Sequence, residues 1–187
     1  MRSFRLRTVL SIAVIVAAAF AFIGGDRAQA ATGAEIERGA RLALQHLYSK
    51  TPAAKALGEK AKAILVFPAI KKAGFVVGGQ YGEGVLLKNG KRAGFFNTSG
   101  ASYGLQAGAQ KFGYALFFMT DAAVQYLNKS GGWELGSAPS IVIVDSGAAG
   151  GISTTTAQSD MYAFFFNQKG LMAGLGLQGT KITPIKK

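Results

Sequence analysis

The chain of 187 residues has no cysteine, one histidine, one tryptophan, four prolines and only nine acidic residues against 21 lysines and arginines. Without cysteine there is no disulfide framework, no thiolate nucleophile or metal ligand, and no site for lipid attachment at an N-terminal cysteine. A single histidine, His46, cannot build a multi-histidine metal centre, and no metal or other cofactor is expected. Among the acids, Glu35, Glu37, Glu59, Glu83, Asp121, Glu134, Asp145 and Asp160 are scattered, and none forms a carboxylate pair with a recognisable catalytic spacing. What remains is a strongly basic chain with a formal charge of +12, which favours anionic partners.

The first thirty residues read as an export signal. Arg2, Arg5 and Arg7 precede the apolar run Val9 to Ile23, and Ala28-Gln29-Ala30 offers a small-residue cleavage site. The run is shorter than the roughly 18 apolar residues of a membrane span, and there is no twin-arginine pair. The expected organisation is therefore a signal peptide, 1–30, followed by a single domain, 31–187, in the periplasm or secreted. Cleavage removes four arginines and one aspartate, so the formal charge falls from +12 to +9 over 157 residues. That length supports one core rather than two.

Periodicity separates helical from extended segments. Ala34 to Tyr48 places Ile36, Ala40, Ala43, Leu44 and Leu47 on one helical face and pairs Glu37 with Arg41 four residues on. Thr51-Pro52 starts a second helix reaching about Ala61, and Thr120-Asp121 starts a third, 122–129, stopped by Gly131-Gly132. Strands are expected near 63–67, 73–81, 84–88, 91–97, 102–110, 112–119, 140–144, 160–167 and 171–179, with Asn89-Gly90 turning a hairpin. Small polar residues make 146–159 a loop. Within Ile64 to Leu87, Gly74, Gly78, Gly82 and Gly84 fall on one face of an extended chain, and Phe75, Val77, Tyr81, Val85 and Leu87 on the other. Gly104 and Gly108, and later Gly174 and Gly176, repeat the split. A bare strand face admits a close neighbour and permits bending. The expected fold is α+β: a curved, mostly antiparallel glycine-rich sheet or partial barrel, packed with the N-terminal helices and one internal helix.

The ordered blocks VFPAIKKAGFVVGGQYGEGVLL, GLQAGAQ, TDAAVQYL and GLMAGLGLQG resemble the SYLF domain, over roughly Glu35 to Ile182. This family includes yeast actin-patch regulators and bacterial secreted proteins. The resemblance implies binding to membrane lipid through a basic N-terminal amphipathic segment, without a catalytic reaction. Actin binding belongs to the yeast relatives and is not expected of an exported bacterial protein. Many relatives carry a Trp-Ser-x-Pro block after the first hairpin, where this chain reads Lys91-Arg92-Ala93-Gly94-Phe95-Phe96-Asn97.

Two catalytic-looking motifs lack their context. Gly174 to Gly179 matches a dinucleotide fingerprint but leaves only eight residues for the helix and acidic residue that must follow. Gly100-Ala-Ser102-Tyr-Gly104 matches a nucleophile elbow, but the chain continues as a strand and His46 lies upstream, so a serine hydrolase using Ser102 is a minor alternative. The chain is read as no enzyme. The cations carry more: Lys55, Lys60 and Lys62 precede the apolar run Ala63 to Phe67, and Lys71 and Lys72 follow it, a combination suited to an anionic phospholipid membrane surface. No helix-turn-helix or RNA-binding signature accompanies the charge, so nucleic acid is not an expected partner. A small outer-membrane β-barrel is the alternative suggested by the leader, the alternating strands and the aromatics.

Overall fold

The computed structural model describes residues 31–74, 77–103, 108–129, 131–135, 140–144, 159–166 and 179–187. The leader, the 171–179 strand apart from Gly179, Gly104, Gly174, Gly176, Asp145 and most of the 146–159 loop lie outside the described residues.

Helix α1, Gly33–Lys50, is opened by a reciprocal cap: the Glu35 N–H donates to Thr32 Oγ1 at 3.3 Å, and the Thr32 N–H donates back to Glu35 Oε2 at 2.8 Å. That cap holds the Glu35 carboxyl below the usual carboxylate range, chiefly through the backbone hydrogen bond from Thr32. Ile36, Ala40, Leu44 and Leu47 are buried, as their spacing requires. Helix α2, Pro52–Lys60, follows at once. Its N-cap Thr51 makes no side-chain cap hydrogen bond; Pro52, with φ fixed in the helical range, begins the helix without that help.

The strands are β1 Ala63–Gly74, β2 Val77–Lys88, β3 Lys91–Tyr103, β4 Gly108–Phe118, β5 Trp133–Glu134, β6 Ile141–Val144, β7 Met161–Phe166 and β8 Thr180–Ile185. They form one sheet in the order β5-β8-β3-β2-β1-β4-β7-β6, antiparallel except for the parallel β6–β7 pair. Helix α3, Asp121–Gln125, is capped by Thr120 Oγ1 accepting from the Ala123 N–H at 3.2 Å, and passes into a 3₁₀ turn, Tyr126–Asn128. The expected helix over 122–129 is thus shorter. Gly131 and Gly132, both at positive φ, turn the chain into β5.

The strand boundaries depart from expectation in an instructive way. The segments expected at 63–67, 73–81 and 84–88 are two long strands, with a reversal between Gly74 and Val77 in the middle of the apolar alternation. No Asn-Gly pair marks that reversal. Pro68, which lacks a ladder donor, sits inside β1 at a register shift found in both of its pairings. By contrast Asn89 and Gly90, at φ 49° and 73°, make the expected two-residue turn between β2 and β3.

Cross-sheet contacts measure the curvature. Tyr114 on β4 donates its hydroxyl proton to Thr98 Oγ1 on β3 at 2.8 Å, although β1 and β2 lie between them. At about 4.8 Å per strand, a flat sheet would put these residues about 14 Å apart. The rings of Phe118 on β4 and Trp133 on β5, five strands away in order, have centroids 6.2 Å apart. The sheet is therefore rolled into a half-barrel, and the face bearing these residues is its inside.

Two apolar cores result. The inner one joins Leu65, Phe67, Ile70, Leu86, Phe96, Tyr114, Leu116, Phe118, Trp133 and Ile182. The outer one seats α1 and α2, through Ile36, Leu44, Leu47 and Leu57, on Ile64, Val66, Val85, Leu87, Phe95 and Phe117. Each large apolar side chain so buried contributes about 1.5–3 kcal/mol. On β2 the expected split holds: Gly82, Gly84 and Leu86 face inward and Val85 and Leu87 outward, while Tyr81 is 48% exposed.

Candidate functional site

The apolar run Ala63 to Phe67 is buried throughout, at 0–8% exposure, so it is core strand and not a surface that could enter a membrane. This corrects the picture of an exposed apolar patch bracketed by lysines. The lysines themselves are at the surface. Lys55 and Lys60 are exposed on α2, and Lys62 is exposed at the entry to β1, where its N–H donates to Phe118 O at 2.8 Å. Lys71 is exposed and Lys72 half-buried near the far end of β1. Lys71 lies nine residues beyond Lys62 along the chain, a span of about 30 Å in strand. The structure therefore brings Lys55, Lys60 and Lys62 to one end of the molecule and Lys71 and Lys72 to the other, and adjacency in strand puts the last two on opposite sheet faces.

Between α1, α2 and the β2–β3 hairpin lies a groove of about 380 Å³ lined by Arg41, Leu44, Tyr48, Ile64, Leu87 and Gly90, among others. Burial, with Glu59 nearby, pushes the Tyr48 hydroxyl up to about 12, so it stays neutral and can donate at ordinary pH. Arg41 at the rim is already committed. Its Nε and Nη2 donate to Glu37 Oε1 at 3.0 and 2.8 Å, and its Nη1 donates to Gly90 O at 3.0 Å. Glu37 also accepts from Arg92 Nη1 at 3.0 Å, so one carboxylate ties helix and hairpin together. The hydrogen bonds from Arg41 foremost, then the charges of Arg41 and Arg92, hold Glu37 below the usual carboxylate range. Reading the sequence alone finds the Glu37–Arg41 pair from its spacing, but not Arg92, which lies 55 residues away.

A second polar surface was missed. On the outer face, Lys111 (β4), Lys71 (β1), Tyr81 (β2), Ser99 (β3), Lys181 (β8) and Glu134 (β5) lie directly opposite one another in turn, forming one row across the sheet. Nothing local in the sequence signals it, because it exists only through cross-strand register.

Ser102 lies in β3, opposite Gly78 on β2, but β3 ends at Tyr103, so the strand expected over 102–110 is broken and β4 begins at Gly108; His46 is exposed on α1. Among the described residues no cluster of three or more histidines and carboxylates could hold a metal ion, and no helix is long and apolar enough to cross a membrane.

Compared with known proteins, residues 99–187 match the family model described as Ysc84, Las17-binding protein actin regulator. The match covers slightly less than half of the chain and runs from within β3 to the last residue, whereas the sequence resemblance begins near Glu35. It includes the GLQAGAQ, TDAAVQYL and GLMAGLGLQG blocks. The Ile64–Leu87 block lies before it. No curated protein matches the chain.

Proposed function

We propose that the protein is a non-catalytic binder of anionic phospholipid surfaces, exported after removal of residues 1–30 and acting in the periplasm or outside the cell. The observation that carries this reading is the state of the cations. Lys55, Lys60, Lys62 and Lys71 are exposed, and none of them, nor Lys72, is held in an ion pair; the pairs among the described residues are Arg41–Glu37, Arg92–Glu37 and Lys187–Glu83. Unpaired ammonium groups in such excess are available to lipid phosphates. The SYLF resemblance and the match over residues 99–187 support membrane association, and the basic leader-like segment supports export. The description of the matched family names an actin regulator; an exported protein would not meet actin, which leaves lipid as the partner.

The test replaces Lys55, Lys60, Lys62, Lys71 and Lys72 together by Gln. At about 1 kcal/mol per cation near an anionic surface, affinity for anionic vesicles should fall by well over tenfold, while the melting temperature stays close to that of the parent because four of the five sites are exposed. Unchanged vesicle affinity in a folded variant would remove these lysines from the site.

A further inference from the structure

The geometry points to the open part of the outer, convex sheet face, centred on Lys71 and Lys111 with Tyr81 beside them, as a docking surface for a phosphate-bearing lipid bilayer. This rests on the anionic-lipid reading above and gives it a location that sequence order does not.

Three features argue for it. Lys71 and Lys111 are directly opposite on neighbouring antiparallel strands, both are exposed, and neither has an acidic partner among the described residues. Like charges so placed repel and destabilise the pairing, and an external anion between them relieves that repulsion. The nearest acids are otherwise engaged. Glu83, two positions along β2 on the same face, is bound by Lys187 Nζ at 2.9 Å and by the Tyr81 hydroxyl at 2.9 Å; Glu134 stands opposite Lys181 at the far end of the row. The excess positive charge therefore lies at the Lys71–Lys111 end.

The second feature is the small residues that border the row among the described residues. α1 crosses β1 near Pro68, where a Cβ on Gly39 would lie 3.6 Å from the proline ring. Beyond the lysine row the next pair on this face is Gly79 with Ala101, both exposed, and a Cβ at Gly79 would meet nothing within 4 Å. Among the described residues this exposed pair of small residues borders the lysine row on β2 and β3. The third feature is Tyr81, nearly half exposed with its hydroxyl held by Glu83, an amphipathic ring of the kind enriched at the boundary between water and lipid.

The test compares the purified protein with Lys71→Gln/Lys111→Gln and Lys71→Arg/Lys111→Arg variants, using vesicles with and without phosphatidylglycerol. The Gln pair should lose about thirtyfold in affinity for the anionic vesicles, at about 1 kcal/mol per cation, and melt no lower than the parent because a repulsion is removed. The Arg pair should keep its affinity. In a Tyr81→Trp variant, anionic vesicles with brominated chains should quench the added fluorescence, which Trp133, 1% exposed, cannot mimic. Full affinity in the Gln pair, or no quenching at position 81, overturns the proposed surface while leaving the lipid reading intact. Failure of the parent protein itself to bind anionic vesicles overturns both. Displacement by millimolar glycerol phosphate would assign the row to a free phosphate, and binding of a DNA oligonucleotide instead of vesicles would assign it to a nucleic acid; either result also overturns the bilayer as partner.

Discussion

At the scale of single residues, the glycines divide into those that the fold requires and those that it leaves open. A Cβ at Gly84 would strike the Val66 carbonyl oxygen and lie 2.6 Å from Cδ1 of Phe67, a ring buried to 0% in the inner core. Neither the backbone oxygen nor the packed ring can retreat cheaply, so Gly84→Ala should cost about 1–3 kcal/mol, the usual range for overpacking. Gly79→Ala, with open space around it, should change stability by no more than about 0.5 kcal/mol. Thermal melts of the two variants check the contrast, and equal melting temperatures would refute the packing role given to Gly84. The alternation of glycine and apolar residues on β2 was legible because a period of two needs only local information. Which glycine touches a ring was not, since Phe67 approaches from the neighbouring strand. The cap of α1 was legible in principle: Thr32 followed three residues later by Glu35 is a capping signature.

At the scale of elements, the β2–β3 hairpin is fastened to α1 through one carboxylate. Glu37 has its pKa lowered in the folded protein, so its contribution is present above the ordinary carboxylate value of about 4.3 and is lost as pH falls through the lower folded value. The Gly90 and Arg92 backbone amide resonances should therefore shift with a midpoint below about 4.3 in the parent protein, and Glu37→Gln should abolish that transition. A midpoint at or above the ordinary value, or an unaltered titration in the variant, would contradict the fastening. This hairpin was readable because Asn89-Gly90 satisfies the two positive-φ positions that its turn demands. The reversal after Gly74 was not, because it interrupts no polar segment and carries no such pair. Pro68 lacks a ladder donor, but the bulge absorbs it and β1 continues through Lys71 and Lys72, past the strand end expected at 67. Helix α1 was found nearly to its ends since its apolar period is unbroken, whereas α3 gives way early to a 3₁₀ turn against the inner core.

At the scale of the whole molecule, the rolled sheet decides what the cations can do. Apolar cores fill its inside and the part of its outside under α1 and α2, so the Ala63–Phe67 run that looked like a membrane-entering patch is consumed in folding. What the sequence order grouped as one basic cluster is spread over both ends of β1, and Lys71 acquires a new neighbour, Lys111, that only the sheet register supplies. The α+β class and the curved antiparallel sheet were therefore legible from periodicity and glycine placement. The surface was not, because its row is made of residues drawn from six strands. The central claim is that this unpaired positive surface binds anionic lipid, and flotation of the purified protein with vesicles measures it directly. Phosphatidylglycerol vesicles should carry the protein upward at low salt, and binding should weaken as ionic strength shortens the screening length to about 10 Å at 0.1 M, while phosphatidylcholine vesicles leave it at the bottom. Equal flotation with both lipids, or anionic binding that salt does not diminish, would contradict the account.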